Sequence, residues 1–244
     1  MIGTDTLIQL ALEIYRKNVK YIMLIGFGIY IPVGFVIELM STRIDLLSVI
    51  QTGYSPVFLP LFFVTGTIMI AILPLETAAL TYFTGKKLND NEDEISPEGI
   101  MDAMFGNWSR LFVTALIYYS ILFLGIIIII PAIIFWVIAG FCLNIVVVDR
   151  ISGVAAIHKS AVIVKYRWWR TFIVLLIIWL AETVFSTLTG LFVAVIGMNF
   201  ELMLQQAFVI IASAMINTVC MMFKLFGVLY FFNLYYTVKE ETIL

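Results

Sequence analysis

The sequence predicts an all-α polytopic membrane protein with six transmembrane helices, arranged as three hairpins and each hairpin preceded by a cytoplasmic interfacial amphipathic helix. Three observations predict it. Of 244 residues, 63% are hydrophobic and only 12% charged; apolar runs recur at lengths of about 20 residues, which a hydrocarbon core of about 30 Å requires; and basic residues gather in alternate connections. A mean hydropathy of +1.09 is more than one water-facing core of this size can hide.

The elements follow in order. The first span, Tyr21 to Met40, has Glu13, Arg16, Lys17 and Lys20 before it and no small-x-small cleavage pattern after it, so it is read as a retained helix and not a cleaved signal. A short polar connection, STRIDLLSVIQTGYSP, leads to the second span, Pro56 to Phe83, where Pro60 and Pro74 predict a kink or tilt. GKKLNDNEDEISPE is the one strongly hydrophilic stretch and is expected to be an acidic cytoplasmic loop over residues 85–96. From Leu111 to Val148 the chain runs 38 residues without a charge; as one helix this would be about 57 Å long, too long for a single crossing. Gly125 and Pro131 mark where it folds back into two spans. The fifth span is Thr171 to Ile196 and the sixth Ala207 to about Tyr236, with Gly197 to Gln206 between them.

The basic residues test this scheme. With six crossings, Arg16, Lys17, Lys20, Lys86, Lys87, Arg110, Arg150, Lys159, Lys165, Arg167, Arg170 and Lys239 fall on one side, Arg43 falls opposite, and Lys224 lies in the membrane. The positive-inside rule then puts both termini in the cytoplasm, and the expected location is the cytoplasmic membrane of a prokaryote. A single crossing between Leu111 and Val148 would split the basic clusters between the two sides.

Three units, near 4–84, 97–148 and 150–238, repeat one pattern within a single membrane domain. A short segment ends in a basic residue, Lys20, Arg110 or Arg170, before a span. Six residues back stand Ile14, Met104 and Val164, and nine back Ala11, Met101 and Ala161, the spacing of one helical face. These segments are expected to lie in the interface, apolar face in the acyl boundary, with Arg16, Lys17, Lys20, Arg110, Lys165, Arg167 and Arg170 beside anionic headgroups. Thr4 or Asp5, Ser96 and Ser152 are the expected N-caps.

Across the third unit, IIIIIPAIIFWVIAGFCLNIVVVDRISGVAAIHKSAVIVKYRWWRTFIVLLI carries a proline-bearing hairpin, an acidic residue, an Ala-x-x-x-Ser helix and a basic aromatic approach to the fifth helix. This block, with LPLETAALTYFTGKK and LYYTVKE, resembles the membrane domain attached to some glycerophosphodiester phosphodiesterases and related uncharacterised bacterial and archaeal six-helix membrane proteins. The resemblance implies a six-helix fold and imports no activity. The soluble phosphodiesterase domain uses paired histidines and carboxylates, whereas this chain has one His and no aqueous segment long enough to fold such a domain.

Ionisable residues inside spans are the first place to look for function. Glu38 is close enough to the outer end of its helix to reach the interface. Glu76, Glu182 and Lys224 lie deeper: counting inward from Gly85, Arg170 and Tyr235 at 1.5 Å per residue gives about 13, 18 and 16 Å, near the midplane. Glu182, Ser186, Gly190 and Ala194 form a small-residue stripe, as do Ser213, Asn217, Lys224 and Gly227, so both helices are expected to meet a neighbour closely. Pro74 frees the Ile70 carbonyl as an added partner for Glu76. The candidate buried polar cluster is therefore Glu76, Glu182, Lys224 and Asn217, read either as a Glu–Lys–Glu bridge pinning helices 2, 5 and 6 or as a proton, ion or headgroup site.

No catalytic residue, metal site or cofactor is expected. His158 lacks a second ligand, Cys142 and Cys220 are far apart, the Asp90 to Glu94 run lacks calcium-loop spacing, and no P-loop, GxSxG, HExxH or dinucleotide fingerprint is present. Tyr166, Trp168 and Trp169 among Lys165, Arg167 and Arg170 read as an aromatic belt with basic anchors, and nothing points to nucleic acid. The expected partners are membrane lipids and other membrane subunits. The favoured function is a non-enzymatic module that organises lipid or partner proteins; the alternative is a small secondary transporter using Glu76, Glu182 and Lys224. Three hairpins lack the paired inverted halves of alternating access.

Overall fold

The computed structural model describes residues 4–41, 58–89, 96–125, 128–197 and 202–243. These are helical, with no strand among them: α1 Thr4–Lys17, α2 Val19–Ser41, α3 Phe58–Ala71, α4 Leu73–Asn89, α5 Pro97–Met101 running into a π-turn Asp102–Gly106, α6 Trp108–Gly125, α7 Ile129–Ala139, α8 Cys142–Asp149, α9 Val154–Val164, α10 Trp168–Gly197 and α11 Leu202–Ile243. Six stretches among them are long and apolar enough to cross a membrane, which makes this a multi-pass membrane protein. The connection containing Arg43 and Pro56, the Asp90 to Glu94 run, and the side chains of Glu38, Thr4 and Asp5 lie outside the described residues.

Breaks between helices come where the sequence removes or redirects a hydrogen bond. Pro74 has no N–H, and the Leu75 N–H turns to Ile72 O at 3.0 Å, closing a tighter turn between α3 and α4. The Ala71 carbonyl there accepts from Trp108 Nε1 at 3.0 Å, and the hydrogen bonds of Glu76 come from Tyr30 and Lys224. α4 continues through Gly85 to Asn89, so the first residues of the stretch read as an aqueous loop are helical. Ser96 caps α5, accepting from Gly99 N at 3.1 Å with Pro97 in the first turn.

The long uncharged stretch is broken between α6, ending at Gly125, and α7, starting at Ile129. The Ile128 N–H donates to Gly125 O at 2.9 Å, and a Cβ on Gly125 would stand 2.8 Å from Ala132 Cβ, so α6 and α7 meet through the missing side chain. Pro131 sits in the first turn of α7, where no N–H is needed. The fourth span breaks again between α7 and α8, and Ser160 mends the gap: its hydroxyl donates to Ile138 O at 2.6 Å and accepts from Phe141 N at 3.3 Å. Gly153 (φ 62°), not Ser152, holds the N-cap position of α9, without a side-chain cap. Its positive φ suits glycine, and its N–H is taken by Thr114 Oγ1 at 2.7 Å.

The three amphipathic segments depart from expectation. Ile14, Met104 and Val164 are all buried, and so are Leu7, Ala11, Ile100, Ala156 and Ile163. They belong to the same apolar core as Leu225, Leu229, Phe231, Phe232 and Leu234 of α11. These positions therefore pack on protein, while Ile8, Leu12, Met101, Phe105, Val154 and Val162 of the same segments stay exposed. Met101 is exposed and Ala161 half-buried, so the repeat holds at the sixth position back and fails at the ninth in two units out of three.

This core is concentrated in one part of the bundle. It draws on α1, α2, α4, α5, α8, α9 and α11, with single members from α6 and α7, whereas α10 has no buried residue from Phe172 to Ile196. The most extensive helix pairings are α2 with α11 and α10 with α11, so the first crossing closes on the last.

Candidate functional site: a buried charge centre and two apolar grooves

α4, α10 and α11 bring Glu76, Glu182 and Lys224 together. Lys224 Nζ is 2.9 Å from Glu76 Oε2 and 3.4 Å from Glu182 Oε1. Glu76 is 2% exposed, while Lys224 and Glu182 each keep 30% of their side-chain surface. The bridge read from sequence is thus present, with one carboxylate dry and the other at its rim. The sequence reading missed a fourth member: the Tyr30 hydroxyl donates to Glu76 Oε2 and accepts from Lys224 Nζ at 3.2 Å. Two donors converge on Oε2, and Glu76 Oε1 is buried with no hydrogen-bond partner.

The helix register sets the height of this centre. Gly26 lies against Thr218 and Gly34 against Ile210, so α2 and α11 run antiparallel with Lys20 opposite Lys224. Side chains on a helix lean toward its N-terminus, which brings Tyr30 and Lys224 toward each other from opposite directions. Measured against α2, the centre lies between the levels of Lys20 and Tyr30, nearer the basic end than a count from Tyr235 implies.

Other predicted members fall elsewhere. Asn217 Nδ2 donates to Ser213 O at 2.9 Å, one turn back on its own helix, and its amide is not bonded to the charge centre. Gly190, in the stripe read as a helix-contact face, has open space where a Cβ would sit, so no close approach is made there, whereas a Cβ on Gly227 would stand 3.3 Å from Ile178 Cδ1. Arg16, Lys17, Lys20, Arg110, Lys165 and Arg170 are exposed and Arg167 is half-buried; Lys17 pairs with Glu13 at 2.9 Å and Arg110 bonds Asn107 Oδ1 at 3.3 Å. His158 is exposed. Among the described residues no group of His, Cys, Asp and Glu is arranged to hold a metal ion.

A second polar knot escaped the sequence reading. Asp149, at the end of α8, accepts from Tyr235 at 2.8 Å and pairs with Lys159 at 2.8 Å. Lys159 Nζ also lies 5.3 Å from the centre of the Tyr235 ring. The knot ties α8, α9 and α11 together beneath the core.

Two apolar grooves flank α3. One, of about 690 Å³, lies between α2, α3 and α5. The other, of about 1070 Å³, lies between α3, α6 and α7, with Tyr119, Ser120 and Thr67 among its few polar groups. Gly28 lines the first and Gly66 the second, and an added Cβ at either would meet nothing within 4 Å. Comparison with models of known protein families, with curated proteins and with solved structures gave no match.

Proposed function

We propose that this protein is a non-enzymatic membrane module that holds lipid chains in the two grooves beside α3 and gathers anionic headgroups with its exposed basic residues. One observation carries the reading: the grooves are lined almost wholly by apolar side chains and are large enough for acyl chains. Lys165 and Arg170, exposed beside Tyr166 and Trp169, supply the charge that an anionic lipid seeks. The bare outer face of α10 suits lipid or another membrane subunit.

Because Gly28 and Gly66 face open space, Gly28→Phe and Gly66→Phe should fill the grooves without disturbing the packing. Mass spectrometry of the purified protein should then show less bound lipid at unchanged melting temperature. Neutralising Lys165, Arg167 and Arg170 together should remove the anionic fraction, at about 1 kcal/mol per residue near the surface. Unchanged lipid content in both variants rejects the module. The transporter reading rests instead on the charge centre, and the triple variant described in the Discussion separates the two.

Orientation belongs to the same reading. The 12 basic residues gathered on one side favour the cytoplasmic membrane of a prokaryote with both termini inside. In a chain with Cys142 and Cys220 replaced, a cysteine at Asn91 should be shielded from an impermeant thiol reagent added outside, and one at Gln51 should react. Equal labelling refutes six crossings.

A further inference from the structure

We propose that the larger groove, between α3, α6 and α7, is a binding site for an uncharged ring lipid: a quinone-type head whose carbonyl oxygens accept from Tyr119 and Ser120, carried on an apolar tail. The inference rests on the reading of the grooves as lipid sites and narrows the chemistry of one of them.

Three features of the lining carry it. The first is a pair of free donors. Of the three hydroxyls in the groove, that of Thr67 donates to Phe63 O at 2.8 Å, while those of Tyr119 and Ser120 make no hydrogen bond among the described residues. Ser120 is exposed and Tyr119 half-buried. Hydrocarbon offers a hydroxyl nothing, and an unmet donor in that medium costs free energy. The occupant that suits these two side chains brings acceptors.

The second is depth. From Arg110, exposed at the start of α6, nine residues to Tyr119 and ten to Ser120 at 1.5 Å each give about 13 and 15 Å, close to the middle of a core about 30 Å thick. A phospholipid is held at the surface by its phosphate and lays only hydrocarbon at this level. An acceptor at mid-depth belongs to a lipid without an ionised head. No acidic, basic or histidine residue lines the groove to hold such a head.

The third is the aromatic surface. Phe63, Phe112, Phe123 and Trp136 stand with Tyr119 around the groove, and aromatic side chains favour another flat ring in offset or edge-on contact. A cavity of about 1070 Å³ holds a ring and its tail, with a few polar groups to fix the ring's orientation.

Trp136 makes the site observable, because a quinone quenches the fluorescence of an indole it touches. The whole protein, in vesicles of synthetic phosphatidylcholine, is titrated with a decyl-tailed benzoquinone while its tryptophan emission is followed. The wild type should quench saturably, and Trp136→Phe should lose most of the saturable part. Tyr119→Phe combined with Ser120→Ala should weaken binding about tenfold at unchanged melting temperature, and Gly66→Phe should abolish it. Dioctanoylglycerol, which offers ester carbonyls on flexible chains, should not displace the quinone. Quenching that rises without saturating, saturation untouched by the paired variant, or displacement by an equal concentration of the diacylglycerol overturns the proposal. Should the paired variant fail to fold, wild-type saturation and the diacylglycerol competition decide. Bound phospholipid that falls in Gly66→Phe, beside a wild type without saturable quenching, keeps the lipid module and removes the ring ligand.

Discussion

Lys224→Met destabilises the protein by about 3–5 kcal/mol at alkaline pH, the cost of stripping one partner from a buried ion pair. Among the described residues Lys224 is the cation that pairs with Glu76, a side chain only 2% exposed, and methionine fills the volume of the lysine stem without its charge. Replacing all three residues, Glu76→Gln, Glu182→Gln and Lys224→Met, removes every charge and recovers most of the loss, because a buried bridge is often no better than neutral packing. Denaturation in mild detergent across pH measures all of this. A Lys224→Met protein as stable as wild type at every pH shows that the three side chains do not act as one centre. The triple variant also separates functions: a lipid module keeps its cellular role without the charges, and a transporter working through them loses it.

Gly26→Val carries the second large effect, about 3 kcal/mol, at the upper end for overpacking a close contact. A Cβ at position 26 would lie 2.2 Å from Thr218 Oγ1, 2.9 Å from its Cγ2 and 3.0 Å from its Cβ, so the whole threonine side chain stands in the way. Thr218 has little freedom to turn aside, being buried and hydrogen-bonded to Ala214 O at 2.7 Å. The helices must separate or slip. Since this contact fixes the register that brings Tyr30 to Lys224, the variant should disturb the charge centre as well as the packing. Thr218→Ala in the same chain should return part of the stability, and Gly28→Val, two residues away but facing open space, should cost little. Equal losses at positions 26 and 28 would point to helix propensity and not to contact.

The spans were legible because hydrophobic length is a direct signal of the bilayer, and the helix breaks at Pro74 and between Gly125 and Pro131 were legible because proline and glycine alter backbone bonding locally. The orientation of the amphipathic segments was not. Ile14, Met104 and Val164 hold the same place on the apolar faces of their three segments, but that periodicity reports only which side avoids water; lipid and protein interior are equally apolar, and α4 and α11 cover these faces in a way local spacing does not reveal. The same ambiguity explains Gly190, whose small side chain signals possible approach and whose neighbour never comes. Glu76, Glu182 and Lys224 were found because charge in a span demands a partner. Tyr30 was missed although a phenol in mid-span needs a partner for its hydroxyl too; among 11 tyrosines, nothing local distinguished it. Asn217 was included for its place on the stripe, whereas its amide is satisfied by the carbonyl one turn behind.

The bond between Glu76 and Lys224 spans 148 positions of sequence, and that separation sets an order of events during synthesis. Glu76 enters the bilayer long before Lys224 has been made. In the interval its neighbour is Tyr30, 46 positions earlier and already inserted, which can shelter one carboxylate oxygen but brings no positive charge. The last helix therefore does more than complete the count of crossings. It delivers the counter-charge and the apolar stretch from Leu225 to Leu234 in one step, so the earlier helices have neither until α11 arrives.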